Sequence, residues 1–176
     1  MHSQYQAIRG TCDILPDQTA LWQKIERQAR EVFGCFHYRE IRTPVFEATE
    51  LFTRSIGQTT DIVGKEMYTF ADKKGRSITL RPEATVCVVR AMIEHSEMFQ
   101  SLPQKLYYIG PMFRYEKPQS GRNRQFHQIG VEAIGSYQPG MDAEVIALLC
   151  HLLQTLGLND VRTEINSVGC PQCRPA

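Results

Sequence analysis

The amino-acid sequence predicts a mixed fold that combines a long antiparallel strand pair with amphipathic helices. Residues 107–116 and 125–134 alternate between two kinds of side chain and flank a loop of turn formers, which predicts a hairpin. Residues 17–33 and 142–156 carry apolar side chains at helical spacing. With 176 residues and 42% hydrophobic content, the chain can build one core.

Composition limits the classes of function. The formal net charge is +1, so no broad basic field indicates nucleic-acid binding, and any contact with RNA must be local. No apolar run reaches the roughly 20 residues that a membrane span needs. The six cysteines follow no signal peptide, which predicts reduced thiols in a cytoplasmic protein.

The N-terminal part of the chain predicts an arm, a helix and a strand. Residues 1–17 hold turn formers and short apolar anchors without a period. Asp17 is expected to cap the first helix and Gly34 to end it. A strand over residues 38–43 follows and stops at Pro44.

Shorter elements are predicted for the middle of the chain. Residues 45–53 hold a short apolar-periodic piece. Residues 55–61 are polar and turn-prone, and we interpret them as a mobile loop. Residues 67–70 and 77–81 predict a second hairpin around a glycine turn.

The segment Arg81-Pro82-Glu83-Ala84-Thr85 opens a third helical pattern, which continues to about Met98. Proline suits the first turn of a helix, and an acidic residue is favourable near the positive end of the helix dipole. Taken alone, Glu83 is most simply explained as complementing that dipole.

The C-terminal part predicts one more helix and one more strand. Asp142 is expected to cap the last helix and Gly157 to end it. Residues 161–166 predict a strand. Two cysteines close together at 170–173 lack the second pair or the histidines that zinc sites usually have, so no structural metal is predicted.

The long hairpin carries the strongest chemical signal. One face of its outgoing strand is apolar from Tyr107 to Tyr115 and is expected against the core. On both strands, the other face carries glycines beside charged side chains. A glycine inside a strand often marks close approach by a ligand. Arg114, Arg122 and Arg124 suit a polyphosphate, because guanidinium forks match phosphate oxygens. The alternative is a half-solvated hairpin with ordinary surface charges.

The hairpin also resembles a known motif. Phe113-Arg114-Tyr115-Glu116, the basic loop and Phe126 resemble motif 2 of the class II aminoacyl-tRNA synthetases, here about residues 107–134, and residues 122–132 resemble its histidyl-tRNA synthetase form. Residues 17–44 resemble motif 1, which in that family builds the homodimer interface. The resemblance covers essentially the whole chain. It implies an α+β fold, an antiparallel sheet flanked by helices, that forms the N-terminal portion of a class II catalytic domain.

The resemblance implies a two-step ligase reaction. Histidine and ATP give histidyl-adenylate and pyrophosphate, and histidine then passes to the terminal ribose of tRNA(His). It implies that Arg114, the expected catalytic residue, holds the α-phosphate and the histidine carboxylate. Glu116 would read the adenine amino group, Arg122 would reach the distal phosphates and Phe126 would stack on adenine. Mg²⁺ is expected with ATP, although no residue is assigned as its ligand.

The resemblance also implies a histidine site. Glu83, Thr85 and Gln128 would hold the α-amino group, and a carboxylate is a natural partner for an ammonium. Glu132 would accept a hydrogen bond from the imidazole and help to select histidine, because a buried polar group left unpaired by a wrong amino acid costs affinity. Ala84 stands where many relatives have glycine, and a small residue is expected to be tolerated.

Some parts of the family pattern find no match in the sequence. These are motif 3 with its ATP-binding arginine, the histidine-specific arginine and tyrosine segment, and the anticodon-binding domain. We therefore expect the N-terminal part of a synthetase, with half an active site and incomplete activity. Two alternatives stay open: a non-catalytic regulatory subunit of ATP phosphoribosyltransferase, and a free-standing interaction fragment. The loop at 117–124 is expected either to approach the tRNA end or to remain solvated.

Overall fold

The computed structural model describes residues 5–56, 66–117 and 119–166. Helices and strands alternate irregularly along these residues, as an α+β fold requires. The elements are α1 (Pro16–Cys35), β1 (Arg39–Glu40), β2 (Phe46–Ala48), α2 (Thr49–Ile56), β3 (Thr69–Ala71), β4 (Ser77–Leu80), α3 (Thr85–Glu94), a 3₁₀ turn (Ser96–Met98), β5 (Gln104–Phe113), β6 (Gln125–Ile134) and α4 (Pro139–Thr155).

The strands form two small sheets. The first has the order β1-β5-β6, and the second has the order β2-β4-β3. Strands β5 and β6 pair antiparallel along their whole length, from Gln104 opposite Ile134 to Phe113 opposite Gln125. The predicted long hairpin is therefore confirmed, although its outgoing strand begins and ends earlier than expected. The first sheet is mixed, because β1 pairs with β5 in parallel.

Helices α1 and α4 cover one face of the long hairpin. The core there consists of Ala29, Val32, Phe33, Tyr38, Tyr107, Leu148 and Leu152, with Ile109, Ile129 and Val131 packed against it. The rings of Phe33 and Tyr107 lie 4.9 Å apart, and Trp22 contacts His127 edge-on at 4.8 Å. Tyr107 and Ile109 of the predicted apolar face thus meet the core, whereas Tyr115 lies beyond β5 and is exposed. On the opposite face, residues of β5 such as Leu106 and Met112 are buried, whereas the residues of β6 are exposed or only partly buried.

The helix ends differ from the predicted caps. Leu15 and Gln138 occupy the N-cap positions of α1 and α4, and a proline follows each of them inside the first turn. Asp17 and Asp142 therefore lie within the first turn and complement the helix dipole instead of capping. Gly157 follows α4 with φ of 85°, which confirms the predicted glycine stop.

The first helix also passes its expected stop. Helix α1 runs through Gly34 to Cys35. The left-handed residue after it is His37, with φ of 62°. Histidine is among the residues that adopt this conformation more often than most.

Several shorter predictions need correction. The strand expected at 38–43 shortens to two residues, and residues 161–166 form no strand. The helix after Pro82 begins only at Thr85, and Met98 belongs to the separate 3₁₀ turn. Part of the loop at 55–61 and the cysteine pair at 170–173 lie outside the described residues. Among the helices that are described, none is long and apolar enough to cross a membrane.

Candidate functional site

The open face of the long hairpin gathers the predicted site residues. Because side chains alternate along a strand, Phe126, Gln128 and Glu132 of β6 share this face. Gln128 lies opposite Gly110, and Phe126 lies opposite the fully buried Met112. On this face, the side chains of β6 therefore lie beside buried residues of β5.

One end of this face is rich in cations and carries an aromatic ring. A cavity of about 440 Å³ is lined by Arg114, Glu116, Gly121, Arg122, Asn123, Phe126 and His127. The Arg114 guanidinium lies 5.1 Å from the centre of the Phe126 ring. The Glu116 carboxylate lies between two cations, 3.8 Å from Arg114 Nη1 and 3.6 Å from Arg122 Nη1. The Arg122 side chain is 66% exposed, so this pair is weak, at about 0–1 kcal/mol, and easily exchanged for a ligand.

The other end of the face holds two carboxylates joined through a threonine. Glu83 Oε2 accepts a hydrogen bond from the Thr85 amide at 2.6 Å, and Glu83 Oε1 accepts one from the Val86 amide at 3.3 Å. Glu83 thus satisfies the first turn of α3 and complements its dipole, as the simplest interpretation has it. Thr85 Oγ1 donates to Glu132 Oε1 at 2.8 Å, which brings the start of α3 onto the face of β6.

The environment of Glu132 weakens its acidity. Burial raises the pKa of Glu132 above its usual value near 4.5, and the charge of Glu83 adds to the rise, whereas the hydrogen bond from Thr85 opposes it. Burial and then the charge of Glu132 raise the pKa of the Tyr108 hydroxyl to about 12. The site therefore holds a half-buried carboxylate that gains from a partner with an N–H to donate.

Gln128 supplies the clearest sign of a missing partner. Its Oε1 atom is buried and accepts no hydrogen bond from any described residue. Such an atom is costly to leave unpaired, by about 1–3 kcal/mol. An ammonium group has three donors and no acceptor, so it suits an unpaired amide oxygen.

Arg114 connects the two ends of the face. Its Nε donates to the Pro82 carbonyl at 2.9 Å, three residues before the threonine that contacts Glu132. The same guanidinium lies beside the Phe126 ring at the cation-rich end. The structure therefore brings all eight predicted site residues onto or beside one face. They are Glu83, Thr85, Arg114, Glu116, Arg122, Phe126, Gln128 and Glu132.

Tyr108 is a residue of this site to which the sequence analysis assigned no role. Its ring lies over Gly130, so that a Cβ placed on Gly130 would fall 2.5 Å from Tyr108 Oη. Glycine at this position accommodates an internal side chain, not a ligand. The available signal was the register, which sets Tyr108 directly opposite Gly130.

The loop arginines divide into two kinds. Arg122 is exposed at the cavity, whereas Arg124 is held within the molecule, 4.3 Å from the Tyr115 ring. The amides of Arg124 and Gln125 donate to the Gly10 carbonyl at 2.7 and 3.2 Å. The N-terminal arm thus closes against the hairpin loop, a contact that the sequence did not predict.

Metal-ligating groups are sparse in this region. The described part of the chain contains no group of three or more histidine, cysteine or carboxylate side chains suited to a metal ion. Glu83 and Glu132 contribute two carboxylates, and both already accept hydrogen bonds.

Comparisons with known proteins identify relatives of this chain. The histidyl-tRNA synthetase family model matches residues 10–172. The histidine–tRNA ligase of Halothermothrix orenii is 64% identical over 169 residues, which are 96% of this chain and 40% of the relative. The chain thus spans about two fifths of the length of this relative.

Two solved structures have a similar fold. The apo histidyl-tRNA synthetase of S. aureus is 48% identical with a TM-score of 0.75, and the match covers 89% of this chain and 36% of that one. A structure from Bacillus halodurans, described as an ATP phosphoribosyltransferase regulatory subunit/histidyl-tRNA synthetase, is 27% identical with the same TM-score of 0.75, over 90% of this chain and 40% of that one. On the match along residues 10–172, this chain belongs to the histidyl-tRNA synthetase family.

Proposed function

We propose that this chain supplies the first part of the catalytic domain of a histidine–tRNA ligase. The full-length protein would form histidyl-adenylate from histidine and ATP and pass histidine to tRNA(His). One observation carries the proposal. A single face joins a cationic cavity with an aromatic wall to a carboxylate pair and an unpaired buried amide oxygen.

The cationic end suits ATP. Attack of a carboxylate on the α-phosphate brings two anions together, so catalysis consists mainly of positioning the reactants and neutralising charge. Arg114 lies between the two ends and is proposed to hold the α-phosphate and the histidine carboxylate. Phe126 would stack on adenine, Glu116 would accept from its amino group, and Arg122 would reach the distal phosphates.

The carboxylate end suits histidine. Glu83, Thr85 and Gln128 are proposed to hold the α-ammonium group, whose donors would satisfy the unpaired Gln128 oxygen. Glu132 is proposed to accept from an imidazole N–H, and its half-buried position makes an unpaired carboxylate costly. Amino acids without such a donor would leave Glu132 with only its hydrogen bond from Thr85, which is a basis for selection.

The proposed function also implies Mg²⁺, a second copy of the protein and a cellular location. Mg²⁺ would enter with ATP, since it usually keeps several waters and takes substrate phosphates with only one or two protein carboxylates. A homodimer through residues 17–44 is proposed from the resemblance of this segment to motif 1, and the segment carries Leu21, an apolar residue that is 61% exposed. Such a ligase would act in the cytoplasm, where its substrates are found.

A regulatory subunit is the second candidate. The Bacillus halodurans structure carries that description, and it shares the fold of this chain. A regulator that binds histidine would need the carboxylate end of the face but not the cationic cavity. The presence of Arg114, Glu116, Arg122 and Phe126 at that cavity therefore favours the ligase.

Histidine-dependent exchange between ATP and pyrophosphate tests the proposal. The full-length protein should catalyse exchange, and its Arg114→Gln variant should lose most of it, whereas Arg54→Gln, an exposed arginine on α2, should behave as the unchanged protein. This chain alone should be inactive or nearly so. Histidine binding without exchange by the full-length protein would favour the regulatory subunit instead.

A further inference from the structure

Arg81 is buried without a carboxylate partner. Only 6% of the residue is exposed, and within the described residues it forms no ion pair. Its Nε donates to the Pro111 carbonyl at 3.0 Å, and its Nη1 donates to the carbonyl and hydroxyl of Thr43 at 2.9 and 3.1 Å. One guanidinium therefore ties the start of the site segment to β5 and to the chain before β2.

This arrangement is unfavourable for the charge itself. Burial lowers the pKa of the Arg81 guanidinium, because the interior replaces water around a cation. An arginine nevertheless remains protonated in proteins. The planar guanidinium of the buried Arg81 is suited to a structural role, because it can donate to carbonyl groups of two segments at once.

The main chain of Arg81 is held as firmly as its side chain. Its amide donates to the Val45 carbonyl at 3.0 Å, and its carbonyl accepts from the Phe113 amide at 3.0 Å. Arg81 is therefore a fixed point from which the next four residues run into the site. Glu83 and Thr85 lie two and four residues further on.

Gly110 makes room for this guanidinium. A Cβ placed on Gly110 would fall 2.6 Å from Arg81 Nη2. Gly110 lies opposite Gln128 in the hairpin register. The guanidinium therefore crosses β5 on the face that carries the unpaired Gln128 oxygen, and the glycine serves Arg81 and not a ligand.

We propose that Arg81 is a positioning residue for histidine binding, which sets the distance of Glu83 and Thr85 from Gln128 across the site. The proposal rests on the proposed function, since it assumes that these three groups share one ligand. A displacement of a binding group by about 1 Å can change rates by about a hundredfold. The fork geometry of Arg81 is therefore expected to matter more than its charge.

Arg81→Lys in the full-length protein is the main test, because lysine keeps the charge but offers a single nitrogen. In pyrophosphate exchange we expect the KM for histidine to rise about tenfold and the KM for ATP to stay within about threefold. The melting temperature should fall by only a few degrees. Arg76→Lys is the matched control, an exposed arginine on the preceding hairpin that pairs with Asp72, and it should change neither constant.

Gly110→Ala tests the same contact from the other side. It should raise the KM for histidine in the same way, because the new Cβ displaces Arg81 Nη2. Lysine lacks that atom, so Gly110→Ala should have a smaller effect in the Arg81→Lys background than in the unchanged protein. Such non-additivity indicates direct coupling between the two residues.

Specific outcomes would overturn the proposal. An unchanged KM for histidine in a folded Arg81→Lys protein refutes it, as does an equal rise in both KM values, which indicates general damage. If the unchanged protein shows no histidine-dependent exchange, the proposed function fails separately. Amide hydrogen exchange then tests the role of Arg81. The amides of Thr85 and Val86 should lose protection in Arg81→Lys, while those of β6 keep it. Equal protection in the variant and the unchanged protein refutes the positioning role.

Discussion

Replacing Gly130 with alanine inserts one methyl group beneath the Tyr108 ring. The added Cβ would lie 2.5 Å from Oη and 2.8 Å from Cε2 of Tyr108, whereas ordinary contact begins near 3.4 Å. The nearest ring atom is Cζ, so the ring must retreat by about 1 Å from its place on the hairpin. Overpacking of this kind costs about 1–3 kcal/mol, and alanine regains about 0.5–1 kcal/mol over glycine within a strand. We expect a net loss of about 1–2 kcal/mol in the free energy of unfolding.

Denaturant unfolding of this chain measures the loss. Trp22 is the only tryptophan, and it packs against His127 on the covered face of the hairpin, so its fluorescence reports the sheet. In a Tyr108→Ala background the ring is gone, and the same substitution should become stabilising by about 0.5–1 kcal/mol. The sign of the effect therefore changes with the neighbour.

Gly34→Ala is the control for this experiment. Gly34 lies in the last turn of α1 with no atom near its missing Cβ, so alanine there should stabilise in either background. A neutral or stabilising effect of Gly130→Ala in the unchanged chain would contradict the predicted clash with Tyr108. The same decrease in the free energy of unfolding after removal of the Tyr108 ring would also contradict it.

Single contacts make three further outcomes testable. In the folded chain the pKa of Glu132 is raised above 4.5, so its contribution to the free energy of unfolding is greatest below that pH and falls as the pH rises through the folded pKa. Glu132→Gln should flatten this fall when unfolding is measured across pH. An equally steep fall in the variant would contradict the prediction. Gly10→Ala should speed proteolysis of the N-terminal arm with little change in the free energy of unfolding, because Gly10 has φ of 90° and an added Cβ would collide with Arg124. Gly75→Ala is the control: Gly75 is a turn glycine with open space around it, so its substitution should leave the arm protected. Phe126→Leu in the full-length protein should raise the KM for ATP about tenfold, because stacking on a base contributes about 1–3 kcal/mol. The KM for histidine should stay within about threefold. Equal changes in the two KM values would argue against stacking of Phe126 on adenine.

The hairpin could be predicted because its signals are local. Alternation from Tyr107 onward and the polar loop fix the strands, the turn and the covered face without reference to other segments. The helix starts were misplaced by one to three residues, because Pro16 and Pro139 suit the first turn better than the aspartates that follow them. Residues 161–166 have strand-forming composition, but a strand also needs a partner, and none of the described strands pairs with them.

The sequence predicted residues that the structure brings together on one face, but it did not predict the contacts among them. Glycine at 110 and 130 indicated close approach, and the sequence could not show that Arg81 and Tyr108 are what approaches. Arg81 lies 30 residues from Pro111, and its hydrogen bond to that carbonyl exists only after β4 and β5 have come together. Long-range contacts of this kind leave no periodic signal in the chain.

The order of the first sheet bears on how this chain behaves in solution. Among the described strands, β6 is bordered only by β5, so one long side of it presents main-chain N–H and C=O groups without a strand partner. Alternate residues of this ten-residue strand direct those groups outward and form a template onto which another strand can add. That strand can come from elsewhere in the full-length protein or from a second copy of this chain. Preparations of the chain alone are therefore expected to self-associate as concentration rises, and the outer edge of the hairpin is the first place to introduce a lysine if solubility is wanted.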